Sequence, residues 1–237
     1  MNKENSDNYL AGNVAYWEKG YNAPMVDHHM FRFYGRILKP YFNLPAIGLT
    51  TSLLDFGCGQ GAAVNYFTSL KFDAYGCDIS THDIGVAKTR FSNIANAFSL
   101  CDPDPKKVEL YGPLPKYDII TGFQSLYYFS KPDFQALMGK LYDQLKPGGV
   151  FFATMMSVKS SEFYDNSTPT ADEWLRAVNF SNSRVKCKDY YIFFVESEED
   201  LKSRFSMFKP LHIGYYCAKF TSDEGDGFHY TFCGVKE

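Results

Sequence analysis

LLDFGCGQGAA, residues 53–63, decides how the rest of the chain is read. An apolar run carries Asp55 near its end, glycines follow at 57, 59 and 61, and a helix-like sequence begins at Ala62. A strand that turns into a helix through glycines brings bare backbone N–H groups close to a ligand, the arrangement used to cradle nucleotide-like groups. Two readings share the stretch. Gly57-x-Gly59-x-x-Ala62 satisfies the dinucleotide fingerprint, whose third small residue is Gly or Ala. Asp55-x-Gly57-x-Gly59-x-Gly61 is the other, with an acid leading evenly spaced glycines.

The composition narrows the setting. With 237 residues, 45% of them hydrophobic, the chain can bury one substantial core, and a second full domain is not expected. A net charge of −3 and the lack of any block of like charges argue against double-stranded nucleic acid, which calls for a basic stripe. No apolar run reaches the ~18 residues of a membrane span, and MNKENSDNYL lacks the apolar centre of a signal peptide, so a cytosolic protein is expected. Six cysteines are scattered without a C-x-x-C pair; Cys58, Cys77 and Cys101, in or beside apparent core strands, read as small buried hydrophobes, and no metal site is expected. The 22 Phe and 18 Tyr are the unusual feature, and a surplus outside the central strands suits a partly polar ligand cavity.

Outward from the glycine loop, periodicity divides the chain. Residues 11–19 and 25–42 read as helices joined by GYNAP; in the second, Met30, Phe33, Tyr34, Ile37, Leu38 and Tyr41 recur at helical spacing. LPAIGLTT is a linker. Then SLLDFG, FDAYGCD, AFSLCD, KYDIITGF and VFFATMM read as strands. Between them GAAVNYFTSL, THDIGVAKTRF (capped by Thr81) and DFQALMGKLYDQL (stopped by the Lys146–Gly149 stretch) read as helices. Residues 157–197 break the alternation, with LRAVNF and YYIFFV as an inserted hairpin. SEEDLKSRFSMF resumes as a helix, and LHIGYYCAKF and GFHYTFCGVK pair as a closing hairpin. The expected fold is α/β and doubly wound: a mostly parallel seven-stranded sheet with an antiparallel last strand. Residues 1–48 form an N-terminal helical cap, and residues 49–237 a cofactor-binding domain with 157–197 as an inserted cap.

The position of the glycine loop and the reversed final hairpin both depart from a plain dinucleotide fold. LLDFGCGQG, GCDIS, KYDIITGFQSLYYF and LKPGGVFFATMM in this order resemble the successive motifs of class I S-adenosylmethionine-dependent methyltransferases, across residues 50–156 and the terminal hairpin. The resemblance implies S-adenosylmethionine as cofactor and S-adenosylhomocysteine as product. It places Gly57, Cys58, Gly59 and Gly61 against the methionine portion, with Asp55 orienting the loop or meeting the ammonium group. Asp78 would accept both ribose hydroxyls, as an acid at this place also does in dinucleotide proteins. Ile79 would flank the adenine and Asp102 accept from its amino group, although CDPDP departs from the usual pattern there. Gln124 ends the fourth strand at the carboxyl edge, where open α/β sheets bind ligands. Tyr16, Trp17 and Tyr21, in AYWEKGY, look like the aromatic lid of related small-molecule enzymes.

Methyl transfer from a sulfonium is an in-line displacement from an activated donor, so alignment and dryness matter most. A base is needed only where the acceptor keeps its proton. His229, at the start of the descending last strand, is the first candidate; a core histidine is the competing reading. His28 is the second, sharing a helix face with Arg32 and Arg36, which would hold the cofactor carboxylate or an anionic acceptor unless that face is merely solvated. Tyr127 and Tyr128 stand where relatives often carry a histidine pair, as positioning groups or core. The inserted segment and N-terminal helices would enclose a small acceptor. The YWEKGY and FHYTF ends loosely resemble bacterial enzymes of capsular or surface polysaccharide pathways, which implies a sugar, a sugar phosphate or a similar polar acceptor methylated on oxygen or nitrogen. A nicotinamide-dependent oxidoreductase and a non-catalytic cofactor-binding module remain as alternatives. The oligomeric state is not legible.

Overall fold

The computed structural model describes residues 3–18, 28–41, 51–179, 190–219, 221–222 and 225–237. Its centre is a seven-stranded sheet built from β1 (Ser52–Phe56), β2 (Asp73–Asp78), β3 (Phe98–Leu100), β4 (Tyr117–Gly122), β5 (Leu145–Met156), β9 (Lys209–Ala218) and β10 (Gly227–Val235). The strand order is β3-β2-β1-β4-β5-β10-β9. The first five strands pair in parallel, whereas β10 runs antiparallel to both neighbours. All five residues of β1 are buried, as expected of a central parallel strand covered on both faces. Adjacent residues serve opposite layers: Phe151 stacks on Phe208 at 4.6 Å, while Phe152 stacks on Phe33 at 4.2 Å.

The helices follow local chemistry, with some differences from the expected boundaries. α4 (Ala62–Ser69) starts after Gly61, whose φ of 82° is left-handed. α5 (Thr81–Arg90) is capped by Ser80, not Thr81: the Ser80 hydroxyl accepts from the Asp83 N–H, and the Thr81 N–H instead donates to Glu18 at 2.7 Å. α6 (Lys131–Gln144) ends before the proline, and β5 begins at Leu145, so the KPGG stretch lies inside a strand. Pro147 drives the preceding residue to extended backbone, which converts helix directly to strand. The expected 25–42 helix is observed from residue 28 as α2 (His28–Phe33), a π-helical turn (Tyr34–Leu38) and α3 (Lys39–Tyr41).

The segment after β5 holds more than a hairpin. It forms α7 (Ser161–Tyr164) and a separate antiparallel sheet of β6 (Ser167–Pro169), β7 (Arg176–Val178) and β8 (Tyr190–Ile192). α8 (Glu198–Arg204) then leads to the closing hairpin. α1 (Lys3–Trp17) is fastened across the sheet's carboxyl edge. The Asn13 amide donates to the Tyr128 and Tyr191 carbonyls at 2.9 Å each and accepts the Tyr191 N–H at 2.7 Å. The Tyr9 hydroxyl donates to Asp133, whose carboxylate also pairs with Lys106. Among the described residues, no helix is long and apolar enough to cross a membrane.

Candidate functional site

Two cavities adjoin at the carboxyl edge and share Trp17, Gly57, Gly59, Gln124 and Tyr128 as a common wall. The larger, of about 240 Å³, runs from Asp55, Cys58 and Gln60 past Tyr16, Tyr127 and Tyr190 to Met156 and His229. The smaller, of about 130 Å³, is lined by Asp78, Ile79, Cys101, Ser125 and Phe129.

The glycine loop separates structural from ligand-facing roles. All three glycines have positive φ. A Cβ on Gly57 would stand 2.3 Å from Ser125 Cβ, and one on Gly61 would stand 2.6 Å from the Phe98 ring. A Cβ on Gly59 would meet nothing within 4 Å, and Gly59 lines both cavities. Gly57 and Gly61 are therefore demanded by the fold, while Gly59 leaves open space beside its backbone. The loop is pinned to β2 by the Gly57 and Cys58 N–H groups donating to the Cys77 carbonyl, and by the Gly59 N–H donating to Asp78 at 2.8 Å.

Asp78 is arranged as an acceptor. One oxygen takes the Gly59 N–H and the other the Ser80 N–H at 2.9 Å, which leaves each with spare lone-pair capacity at the cavity. Burial pushes its pKa up to about 6 against those hydrogen bonds. Burial raises Asp55 to about 7, with a hydrogen bond from Thr121 at 2.7 Å opposing and the Asp78 charge adding to the rise. Asp83, buried at the start of α5, accepts from Gln60 at 3.1 Å and lines both cavities. Three carboxylates thus surround the loop, and among the described lining residues there is no Lys or Arg. The site suits a cationic group.

At the far end His229 is buried on β10 beside Met156 of β5. Burial lowers its pKa to about 4, so the ring is neutral at physiological pH. Nδ1 lies 3.3 Å from the Gly227 carbonyl, and Nε2 is buried without a hydrogen-bond partner among the described residues. The Tyr216 ring stacks on it at 5.0 Å, nearly parallel at 2°. Gln124 holds a left-handed φ of 55°, its N–H donating to Thr154 Oγ1 at 2.7 Å and its amide to the Tyr216 hydroxyl at 2.9 Å. Strain of this kind persists where surrounding contacts over-determine it. Burial pushes the Tyr127 hydroxyl well above its usual range, which excludes it as a base near neutral pH.

Of the residues singled out from sequence, Asp55, Gly57, Cys58, Gly59, Gln124, Tyr16, Trp17, Tyr127, Tyr128 and His229 converge on the larger cavity. Asp78 and Ile79 line the smaller one, and Gly61 shapes the loop from behind. Asp102 is exposed and closes its own turn by accepting the Asp104 N–H at 2.8 Å; Cys101 lines the cavity in its stead. Arg32 and Arg36 are exposed and line neither cavity, because the opposite side of the helix, with Met30, Phe33 and Leu38, is the one buried on the sheet. Tyr21 and the His28 side chain lie outside the described residues. Sequence reasoning passed over Asn13, Asp83, Tyr190 and Tyr216. Asp83 had a readable signal, since Ser80-x-x-Asp83 is a capping-box spacing; the others depend on distant contacts. Among the described residues no group of His, Cys, Asp or Glu is placed to hold a metal.

A parallel sheet with a reversed last strand, a glycine loop after β1 and an acid ending β2 define the Rossmann-like fold of class I methyltransferases. Residues 26–206 match a family described as a methyltransferase domain, and the chain belongs to that family of S-adenosylmethionine-dependent enzymes. No curated relative matches the chain. An S-adenosylmethionine-dependent methyltransferase from Clostridium acetobutylicum is 16% identical and covers 100% of both chains, with a TM-score of 0.61. One from Methanosarcina mazei is 14% identical over 84% of this chain and 96% of that one, with a TM-score of 0.63. Magnesium protoporphyrin IX methyltransferase from Synechocystis, solved with bound S-adenosylhomocysteine, is 14% identical over 99% of this chain and 98% of that one, with a TM-score of 0.60. At these identities the likeness is one of fold.

Proposed function

We propose that this chain transfers a methyl group to an oxygen or nitrogen of a small acceptor enclosed in the larger cavity. The observation that carries the proposal is the acid-lined glycine loop without a described cation, joined directly to an aromatic chamber that ends in a buried histidine. S-adenosylmethionine carries a sulfonium and an ammonium group, which Asp55 and Asp83 suit, whereas Asp78 serves the ribose of either kind of nucleotide. The family assignment agrees, which disfavours the oxidoreductase alternative.

The cofactor supplies an already activated methyl group. The chain's own residues bind, orient and exclude water. Asp78 would take the ribose hydroxyls on its spare lone pairs, with Ile79 and Cys101 beside the base and Gly59 giving backbone access. Asp55 and Asp83 would face the cationic end. Tyr16 and Trp17 from α1, with Tyr190 from the inserted sheet, would close the chamber and let aromatic faces meet the sulfonium. His229 would hold the acceptor's proton at Nε2. A molecule of sugar size fits the volume, but a sugar phosphate would find no described cation in the lining. The carbohydrate reading therefore rests on the resemblance of the chain's ends. Calorimetry with S-adenosylhomocysteine and with NAD tests the proposal: binding of the first and not the second is expected, and the reverse would overturn it. Binding without turnover on any acceptor would favour the non-catalytic module.

A further inference from the structure

We infer that the acceptor is a single-ring, uncharged phenol that packs against the aromatic walls of the larger cavity and donates its hydroxyl hydrogen to Nε2 of His229. This rests on the methyltransferase reading above and narrows it to one substrate class.

The walls come first. Tyr16 and Tyr190 stack at 4.3 Å with an interplanar angle of 25°, Trp17 meets Tyr16 edge-on at 5.0 Å, and Tyr127 lies 6.1 Å from His229. These rings pack on one another and leave their outer faces and edges to a flat guest, through offset or edge contacts. Size allows one ring. An apolar cavity of roughly 150 Å³ accommodates benzene, so about 240 Å³ has room for a single aromatic ring.

Polar demand then separates a phenol from a sugar. The Gln124 amide donates to Tyr216, the Asp55 carboxyl accepts from Thr121 and the Gln60 amide donates to Asp83, so each of these side chains already holds one partner. His229 Nε2 is buried and, among the described residues, has no partner. The Gly227 carbonyl can only accept, so Nδ1 carries the hydrogen and Nε2 offers a bare lone pair. That lone pair asks for one donor. A pyranose would bring several hydroxyls into this aromatic chamber, and each left unpaired loses affinity; a phenol brings one.

Acidity points the same way. A phenol titrates near 10, roughly six units above His229 at about 4. A water-like aliphatic hydroxyl, near 15.7, lies roughly twelve units above it. The buried imidazole is a weak base, so the acceptor must contribute acidity of its own. In the transfer the phenolic oxygen gains the O–CH₃ bond, the pair of the broken S–C bond stays on sulfur, and the proton ends on Nε2. One positive charge is lost at sulfur and one gained at imidazole.

The test is equilibrium binding of 4-nitrophenol and nitrobenzene to the full chain saturated with S-adenosylhomocysteine, at mildly acidic pH where the phenol keeps its proton. The phenol should bind about tenfold tighter, the worth of one buried hydrogen bond. His229→Phe should erase that preference while binding nitrobenzene about as well as the parent. Methyl glucopyranoside should bind more weakly than 4-nitrophenol, and added S-adenosylmethionine should yield 4-nitroanisole. Equal binding of the two nitroarenes, a preference that survives His229→Phe, or tighter binding of the glucoside would each overturn the inference; the parent-chain comparison stands even if the variant fails to fold. Failure to bind S-adenosylhomocysteine would instead sink the methyltransferase reading itself.

Discussion

Asp78→Ala is expected to lower affinity for S-adenosylhomocysteine by about 10²–10⁴-fold. Each Asp78 oxygen already accepts one backbone N–H, from Gly59 at 2.8 Å and from Ser80 at 2.9 Å, and each can accept one ribose hydroxyl besides. Hydrogen bonds to a charged group contribute about 1.5–3 kcal/mol each, so two give about 3–6 kcal/mol, at about 1.4 kcal/mol per factor of ten. The pH dependence follows with a definite sign. Burial raises the free carboxyl to about 6, and hydroxyl donors or a nearby cation favour its ionised form. The ligand therefore prefers the deprotonated protein. Through Asp78, affinity should rise with pH by about tenfold per unit below 6, and this contribution should level off above, leaving only the smaller rise that Asp55 gives toward 7. Asp78→Asn keeps one acceptor oxygen and should bind between the two, with the titration near 6 removed. Calorimetry between pH 5 and 8, with circular dichroism as a check on folding, measures all of this. Affinity of Asp78→Ala within a few-fold of the parent in a folded protein would refute the ribose assignment.

The two loop glycines should part company on substitution. Gly59→Ala should cost about 1–2 kcal/mol for its left-handed backbone and still fold, yet bind S-adenosylhomocysteine at least about tenfold more weakly, whereas Gly57→Ala should melt early because its Cβ meets Ser125. Asp55 is raised to about 7 by burial, so its contribution to stability is present below its unfolded pKa of about 4 and lost as pH rises to 7. Asp55→Asn should accordingly stabilise the free protein by up to about 4 kcal/mol at pH 8 and little at pH 4, as read by thermal denaturation; equal effects at both pH values would contradict the burial argument. Asn13→Ala removes three hydrogen bonds that hold α1 over the cavities. At about 1 kcal/mol each, amide exchange in α1 should quicken about a hundredfold with the central sheet unchanged.

Much of the fold is legible because its signals are local. A fully apolar run at β1, glycines at the strand–helix turn and the acid ending β2 identify a nucleotide-type site wherever the remaining chain lies. The inserted strand β6 was not legible: three residues, STP, have no period of their own and are extended by pairing with β7. Asp102 and Cys101 are neighbours, and only the Asx turn to Asp104 shows which of them turns away from the cavity.

By itself the sequence determined the doubly wound sheet, its reversed last strand and the glycine loop, because hydrophobic period and backbone freedom act over a few residues. Only the tertiary structure decided which polar groups share one dry space. Asp83 from α5, Tyr190 from the inserted sheet and His229 from the last strand meet at the larger cavity from distant parts of the chain. Burial, which lifts Asp55 and Asp78 and lowers His229, is a property of that enclosure and not of any residue's neighbours in sequence.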